Sequence, residues 1–329
     1  MNDPSRLARL NSIKLAALVR DHLGGEPDLR PGEFAGGAAL RHADAVGGDT
    51  AWVLLAERPE RGLGAALAWA MRQGSVAVHV VAERSTGLLA RRAAGFAFPV
   101  TVWHAEGRVL LPAVPEPLPT PPAVPETHRE FAATIAESGA TPGEEFGVLF
   151  GEVAGLEVCR VVDDPYLNTV RLEVGVGAHD REAFLALHGD RPSAPALADV
   201  VQAVVRHRVR PGTGHPLSWL GQERLLRAEL VAHPEMIRAS WVELAAPPVP
   251  RTNLKDPVPC VAVAEIDGVR TTVVCTVGVD LDAVPYAIDA RLASGVEPCV
   301  LVMPHRDVLP VQQLLADTAS PPVTIVPVD

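Results

Sequence analysis

The chain has 329 residues, 48% of them hydrophobic, which is enough for two or three compact domains and too apolar for a disordered chain. Its 29 basic and 40 acidic residues give a net charge of -11, which repels phosphate backbones and anionic lipid and so disfavours non-specific nucleic-acid binding. Arg6, Arg9, Asn11 and Lys14 interrupt any signal-peptide core, no stretch reaches the roughly 18 apolar residues of a membrane span, and the four cysteines show no Cys-x-x-Cys spacing, so a soluble cytoplasmic protein is expected.

In chain order, "SRLARLNSIKLAALVRDHL" reads as a helix and "GGAALRHADAV" as a strand. From Thr50 the pattern alternates: "TAWVLLAE" is an apolar run, "RGLGAALAWAMRQG" has helical periodicity ending at Gly74, "VAVHVVAE" is apolar, "STGLLARRAAGF" is helical, and "FPVTVWHA" is a third strand. Strands separated by helices of this length indicate βαβ units in a parallel sheet. The first α/β unit is therefore expected over residues 1–111. A proline-dense linker, 112–127 within "LPAVPEPLPTPPAVPETH", should form an extended, semi-rigid spacer.

Residues 128–215 read as a small α+β module. It holds the helix "REFAATIAE", a hairpin of "GLEVCRVVDD" and "NTVRLEVGVG" turning over Asp163 to Leu167, and two helices, "DREAFLALHG" and "APALADVVQAVVRHRV", with Ser193 as a cap for the second. Residues 216–329 form a second α/β unit. It opens on the helix "QERLLRAELVAHPEM" and continues with "PCVAVAEIDGVRTTVVC", two β-rich runs around Asp267-Gly268. That dipeptide predicts a type I′ turn, which needs positive φ at both central residues. It sets Glu265 opposite Arg270 and Cys260 opposite Cys275. "LDAVPYAIDARLASG", "PCVLVMPH", "DVLPVQQLLADT" and "PPVTIVPV" then alternate as helix, strand, helix and strand.

The two terminal units match with little gapping. Thr50 falls on Thr271, Val53 on Val274, Ala66 on Ala287, Gly74 on Gly295, Arg84 on Arg306, and Pro99-Val100-Thr101 on Pro322-Val323-Thr324. An internal duplication is expected, giving an α/β protein in which two related units with mixed or parallel sheets flank the α+β module. The order helix, β-meander, helix, strand, helix, strand resembles the restriction-endonuclease-like PD-(D/E)xK fold. The resemblance implies an Asp on the second strand and an acidic-x-Lys triplet on the third, together holding a divalent metal. "TTVVCTV" has neither acid nor lysine, and Glu57, with Asp44 and Asp49 before it, is followed by Arg58 and Pro59. Both units therefore look degenerate as nucleases.

Three sets of side chains are candidates for function. Glu157, Asp163 and Glu173, in an acidic neighbourhood with Glu152 and Asp164, could bind Mg²⁺ and serve a nuclease or phosphodiesterase. The competing reading is turn chemistry at Asp163-Asp164-Pro165 and pairing of the glutamates with Arg160 and Arg171. Glu57, Arg58, Arg84, His305, Arg306 and Asp307, with Glu83, His104, Asp280 and Asp282, fall at the carboxyl ends of parallel strands, where a small anionic ligand would gather; Asp280 and Asp307 also suit helix caps. Arg206, Arg208 and Arg210 form the one local basic run that could touch phosphate. The cysteines, with His305, could in principle ligate zinc, but buried cysteine acting as a small apolar side chain is the default. No Gly-x-x-x-x-Gly-Lys-Ser/Thr, Gly-x-Ser-x-Gly or His-Glu-x-x-His motif occurs. The leading expectation is a non-enzymatic scaffold or regulatory protein with a protein partner or self-association; a metal-dependent nuclease and a small-anion binder are the alternatives.

Overall fold

The helix read at the amino end is α1 (Pro4–Leu23), and it buries Leu15, Leu18 and Val19. The structure, a computed structural model, describes residues 4–44, 47–164, 168–188, 193–208, 214–251 and 257–329. After α1 come β1 (Leu29–Gly32), β2 (Gly37–Asp44), β3 (Gly48–Leu55), α2 (Leu63–Arg72), β4 (Ala77–Ala82), α3 (Thr86–Ala93), β5 (Val100–Glu106) and β6 (Val109–Pro112). The six strands form one sheet in sequence order: β1, β2 and β3 are antiparallel, β4 and β5 continue parallel, and β6 turns back antiparallel. Helix α2 ends where Gly74 takes φ +72°, a conformation glycine adopts without Cβ strain.

Strand β3 is buried on both faces from Thr50 onward, as its run of Ala51, Trp52, Val53, Leu54 and Leu55 implies for a central strand. Trp52 lies in register with His79 on β4, and their rings stack 4.1 Å apart. Trp103 Nε1–H donates to His79 Nδ1 at 2.9 Å. Burial, aided by the nearby His22, pulls His79 down to about 4, so the ring is neutral near pH 7 and its Nδ1 is free to accept. Each fully buried aliphatic side chain in this layer stabilises the fold by roughly 1.5–3 kcal/mol.

The middle of the chain carries α4 (Glu126–Arg129), α5 (Ala132–Glu137), β7 (Thr141–Glu145), β8 (Val148–Val153), β9 (Leu156–Asp164), β10 (Thr169–Val174), α6 (Gly177–His188) and α7 (Ser193–His207). Its four strands form an antiparallel sheet ordered β10-β9-β8-β7. The β7/β8 turn at Phe146-Gly147 and the β8/β9 turn at Ala154-Gly155 have positive φ at both residues. Residues 165–167, within the turn expected from Asp163 to Leu167, lie outside the described residues.

The last third runs α8 (Gln222–Ala232), β11 (Ala239–Ala245), β12 (Cys260–Ile266), β13 (Val269–Cys275), α9 (Ala283–Ser294), β14 (Cys299–Pro304), α10 (Pro310–Thr318) and β15 (Thr324–Val328). Its five strands follow sequence order, antiparallel from β11 to β13 and parallel from β13 to β14. The β12/β13 hairpin is as the sequence predicts: Asp267 and Gly268 have φ of +50° and +77°, Glu265 faces Arg270, and Cys260 faces Cys275. The chain is thus an α/β protein in which two mixed sheets flank an antiparallel four-stranded sheet.

Five strands were not anticipated: β1, β6, β7, β8 and β11. Strands β1 and β7 are edge strands carrying Pro31 and Pro142, positions where a missing N–H costs nothing because it would face away from the sheet.

The chain divides into two compact units. One comprises Met1–Leu118, Val279–Leu292 and Arg306–Ile325; the other comprises Pro119–Gly278, Ala293–His305 and Val326–Asp329. In the first unit, most of α9 and all of α10 belong with the amino-terminal sheet. Gly64 passes so close to Leu281 that an added Cβ would lie 1.9 Å from the Leu281 carbonyl oxygen. Asp289 accepts from Arg91 Nε at 2.8 Å and from Arg92 Nε at 2.7 Å, and Arg61 pairs with Asp280 at 2.7 Å. Asp282 accepts from the Gly64 N–H at 2.7 Å near the start of α2; burial lifts this carboxyl to about 6, Arg92 opposing. Phe96 and Ala319 form an antiparallel bridge, flanked by Ala97 N–H donating to the Thr318 carbonyl and Ser320 N–H donating to the Gly95 carbonyl, both at 2.8 Å. The proline spacer is held at its start, where Arg91 Nη1 donates to the carbonyls of Glu116 and Pro117 at 2.9 and 3.1 Å. Val124, further along, is buried in the core of the second unit.

Candidate functional site

The second unit holds one cluster of charged side chains in its interior. Strands β7, β8, β9 and β10 contribute Glu145, Glu152, Glu157 and Glu173, while α6 contributes Arg181 and α8 contributes Arg224 and Arg227. Arg251 follows β11. Glu152 and Glu157 face each other across β8 and β9, an arrangement of like charges that is unfavourable unless cations intervene. Five arginines do so. Arg224 and Arg227 donate to Glu152 Oε2 at 3.2 and 2.9 Å, and Arg224 also grips Glu145. Glu157 Oε1 accepts from Arg160 at 2.7 Å and from Arg181 at 3.1 Å, and its Oε2 accepts from Arg251 at 3.4 Å.

The electrostatics follow from these contacts. Burial alone would raise the Glu157 carboxyl, but Arg160, Arg181 and Arg251 outweigh it and hold the group below its ordinary range. Burial works against the Arg227 charge, and Glu152 overcomes it, so this guanidinium sits above its ordinary value. Arg251 goes the other way: burial and the neighbouring Arg224 both lower it.

Two cavities adjoin this cluster. One, of about 20 Å³, is lined by Arg224, Arg227, Arg251, Glu145, Glu223 and Cys260 among others. The other, of about 370 Å³, also takes Glu145 and Arg227 into its wall and is otherwise lined largely by apolar groups including Pro142, Leu149, Phe150 and Leu244.

Of the three carboxylates proposed for metal, Glu157 and Glu173 are brought together, but about Arg181 Nη1 and Nε, at 3.1 and 3.6 Å. Asp163 stands apart, its side chain 78% exposed and its Oδ1 bonded to His128 Nε2 at 3.0 Å. Glu157 pairs with Arg160 and Glu173 with Arg171, the pairing weighed against metal binding in the sequence. Among the described residues, no group of three or more His, Cys, Asp or Glu is placed to hold a metal ion, and the four cysteines are buried and form no disulfide.

At the strand ends, Glu57, Arg58, Arg84, His305 and Arg306 are exposed, and Arg306 lies 3.8 Å from Asp307. What this rim brings together is Arg61 with Asp280, and Asp282 with the start of α2. Arg206 is exposed on α7, and Arg210 lies outside the described residues. Arg208 is turned inward: its guanidinium donates to the carbonyls of Ala154, Leu217, Leu220 and Gly221, pinning loops together, and burial pulls it to about 10. Those donors are spent on backbone rather than presented to phosphate.

Sequence reasoning passed over Arg224, Arg227 and Arg251. A signal existed for Arg227, which lies beside Leu226 and at helical spacing from Leu230 on α8, where an aliphatic residue is usual; the helix buries Glu223, Arg224, Leu225, Leu226, Arg227 and Leu230. Arg251 lies in irregular chain and gives no such pattern. No helix among the described residues is long and apolar enough to cross a membrane. No known family model, curated protein or solved structure matches the chain.

Proposed function

We propose that the chain is a non-enzymatic scaffold or regulatory protein whose terminal blocks are two copies of one restriction-endonuclease-like unit, each stripped of the catalytic set. The order α1-β1-β2-β3-α2-β4-α3-β5 is repeated by α8-β11-β12-β13-α9-β14-α10-β15, and the strand orders agree. The observation that carries this reading is the junction inside the first unit. Extending the alignment of Pro99 with Pro322 makes Gly95, Phe96 and Ala97 equivalent to Thr318, Ala319 and Ser320. Ala97 N–H reaches the Thr318 carbonyl and Ser320 N–H reaches the Gly95 carbonyl, so the equivalent donors Ala97 and Ser320 make matching bonds to the equivalent acceptors Thr318 and Gly95. Such reciprocity is the mark of a self-complementary, two-fold contact of the kind homodimers use. The junction reads as a dimer contact retained after two copies were fused in one chain.

Loss of catalysis is supported by chemistry already placed. The third strands run Ala51-Trp52-Val53-Leu54 and Thr271-Thr272-Val273-Val274, with no acidic-x-Lys triplet. Glu157 and Glu173 have their oxygens occupied by guanidinium groups, which a metal would have to displace. Four buried cysteines with no disulfide among the described residues suit a reducing, cytoplasmic setting. Binding of a protein partner, or self-association, is the activity left to such a scaffold.

The test is incubation with single- and double-stranded DNA and RNA in Mg²⁺ or Mn²⁺. No cleavage above the protein-free control is expected. Metal-dependent cleavage by the purified chain that disappears in Glu173→Ala would overturn the reading.

A further inference from the structure

Cys260 on β12 and Cys275 on β13 stand directly opposite each other, and both are buried. Alternation outward from the Asp267-Gly268 loop makes them a hydrogen-bonded pair, whose Cα atoms lie about 5.5 Å apart, inside the roughly 4.4–6.8 Å that a disulfide spans. Their side chains already touch, the Cys275 thiol donating to the Cys260 sulfur. Neither remaining cysteine shares this placement: Cys299 on β14 is opposite Thr272, and Cys159 lies on β9 in the four-stranded sheet.

The two sulfurs are not equivalent. The Cys260 thiol donates to the Glu223 carbonyl at 3.1 Å, and both residues line the cavity of about 20 Å³ together with Arg224 and Arg227. Burial opposes ionisation of Cys260, but the bond from Cys275 and the charges of Arg227 and Arg224 outweigh it and bring this thiol below its ordinary value. Cys275 is raised, by that same bond and by burial, and burial pushes Cys159 up to about 12. Thiolate character, which governs attack on an oxidant, is therefore concentrated on Cys260. The cavity beside it has room for about one water molecule, and so for the single oxygen that a sulfenic acid adds to a sulfur.

We propose that Cys260 and Cys275 form a redox-active dithiol, which hydrogen peroxide oxidises to a disulfide across β12 and β13. The Cys260 thiolate attacks one peroxide oxygen, the O–O bond breaks, and hydroxide leaves to become water with the proton the thiol gave up. The Cys275 sulfur then attacks the Cys260 sulfenic acid: the S–S bond forms, the S–O bond breaks, and a second water departs with the Cys275 proton. Two thiols are oxidised, and one peroxide is reduced to two waters. Opposed residues of a strand pair have Cβ atoms about 4.5–5.5 Å apart, wider than the ~3.8 Å of a relaxed disulfide. The new bond must draw the strands together and stays easily reduced, which makes it a reversible switch and not a staple. This chemistry uses residues of the second unit alone and holds whether or not the terminal blocks are copies of a nuclease unit.

The experiment is exposure of the folded full chain to hydrogen peroxide, removal of the oxidant with catalase, unfolding, alkylation of the remaining thiols and peptide mapping under non-reducing conditions. The expected result is a link between Cys260 and Cys275 in monomeric protein, which dithiothreitol removes, while Cys159 is recovered as an alkylated thiol. Cys275→Ala should lose the link entirely and carry instead a sulfenic acid on Cys260, captured by dimedone. Peroxide-treated protein in which Cys260 and Cys275 both stay thiols overturns the proposal. So does a link from either of them to Cys159 or Cys299, or oxidation of Cys260 beyond the sulfenic acid with Cys275 untouched. If Cys275→Ala fails to fold, mapping of the unmodified chain decides by the same outcomes.

Discussion

Replacing Asp289 with alanine is expected to destabilise the protein by about 3–5 kcal/mol, the cost of removing one partner from a buried ion pair. Asp289 is fully buried on α9. Its two oxygens accept three charge-assisted bonds, from Arg91 Nε at 2.8 Å, Arg91 Nη2 at 3.2 Å and Arg92 Nε at 2.7 Å. Alanine would leave two buried guanidiniums facing each other, with the backbone carbonyls of Glu60, Glu116 and Pro117 and the more distant carboxylates of Glu116, at 3.6 Å from Arg91, and Asp282, at 4.0 Å from Arg92, as their remaining partners. Asparagine keeps the shape and one acceptor but loses the charge, so Asp289→Asn should fall between the two. Urea unfolding of the three proteins measures this directly. A loss under about 1 kcal/mol for the alanine variant would mean that water reaches the arginines and that α9 is not anchored through this carboxylate.

Glu152→Ala should have an effect of the same order, about 3–5 kcal/mol, in the other unit. Glu152 is buried on β8 and carries both helix arginines on one oxygen. Without it, Arg227 retains the Val261 carbonyl at 3.3 Å and a distant Glu145 at 3.9 Å. That is too little to compensate a charge this deeply buried. The dependence should be mutual. In a double-mutant cycle with Arg227→Met, the two changes together should cost less than their sum, with a coupling of roughly 1–3 kcal/mol. Additive losses would show that Glu152 and Arg227 do not hold each other in the folded state.

These buried charges also show which parts of the molecule could be read from its sequence. The β12/β13 hairpin was legible to the residue because its information is local: Asp267-Gly268 admits one tight turn, and the turn fixes every cross-strand neighbour up to Cys260 and Cys275. The alternation of β3, α2, β4, α3 and β5 was legible from hydrophobic periodicity. Strands such as β1, with Pro31, and β7, with Pro142 and Gly143, were hidden because they are specified by a neighbouring strand's free edge, not by their own propensity. The site was harder still. The acidic cluster is visible in the sequence, as is its pairing with Arg160 and Arg171, both close along the chain. The arginines that decide its chemistry come from α6, α8 and the chain after β11, and only the folded sheet brings them to Glu152 and Glu157. An Arg beside Leu226 and at helical spacing from Leu230 is the single clue on offer.

The duplication proposal rests on equivalent residues meeting their own counterparts at Phe96 and Ala319. The flanking bonds, from Ala97 to Thr318 and from Ser320 to Gly95, make these two a non-hydrogen-bonded antiparallel pair. In such a pair the Cα atoms are about 4.5 Å apart, within the range that a disulfide spans. The most direct measurement is therefore oxidation of the double variant Phe96→Cys/Ala319→Cys, with peptide mapping under non-reducing conditions. The expected result is an intramolecular bond between positions 96 and 319 in monomeric protein, and none in either single variant. A folded double variant that stays reduced, or that links only between molecules, would contradict it.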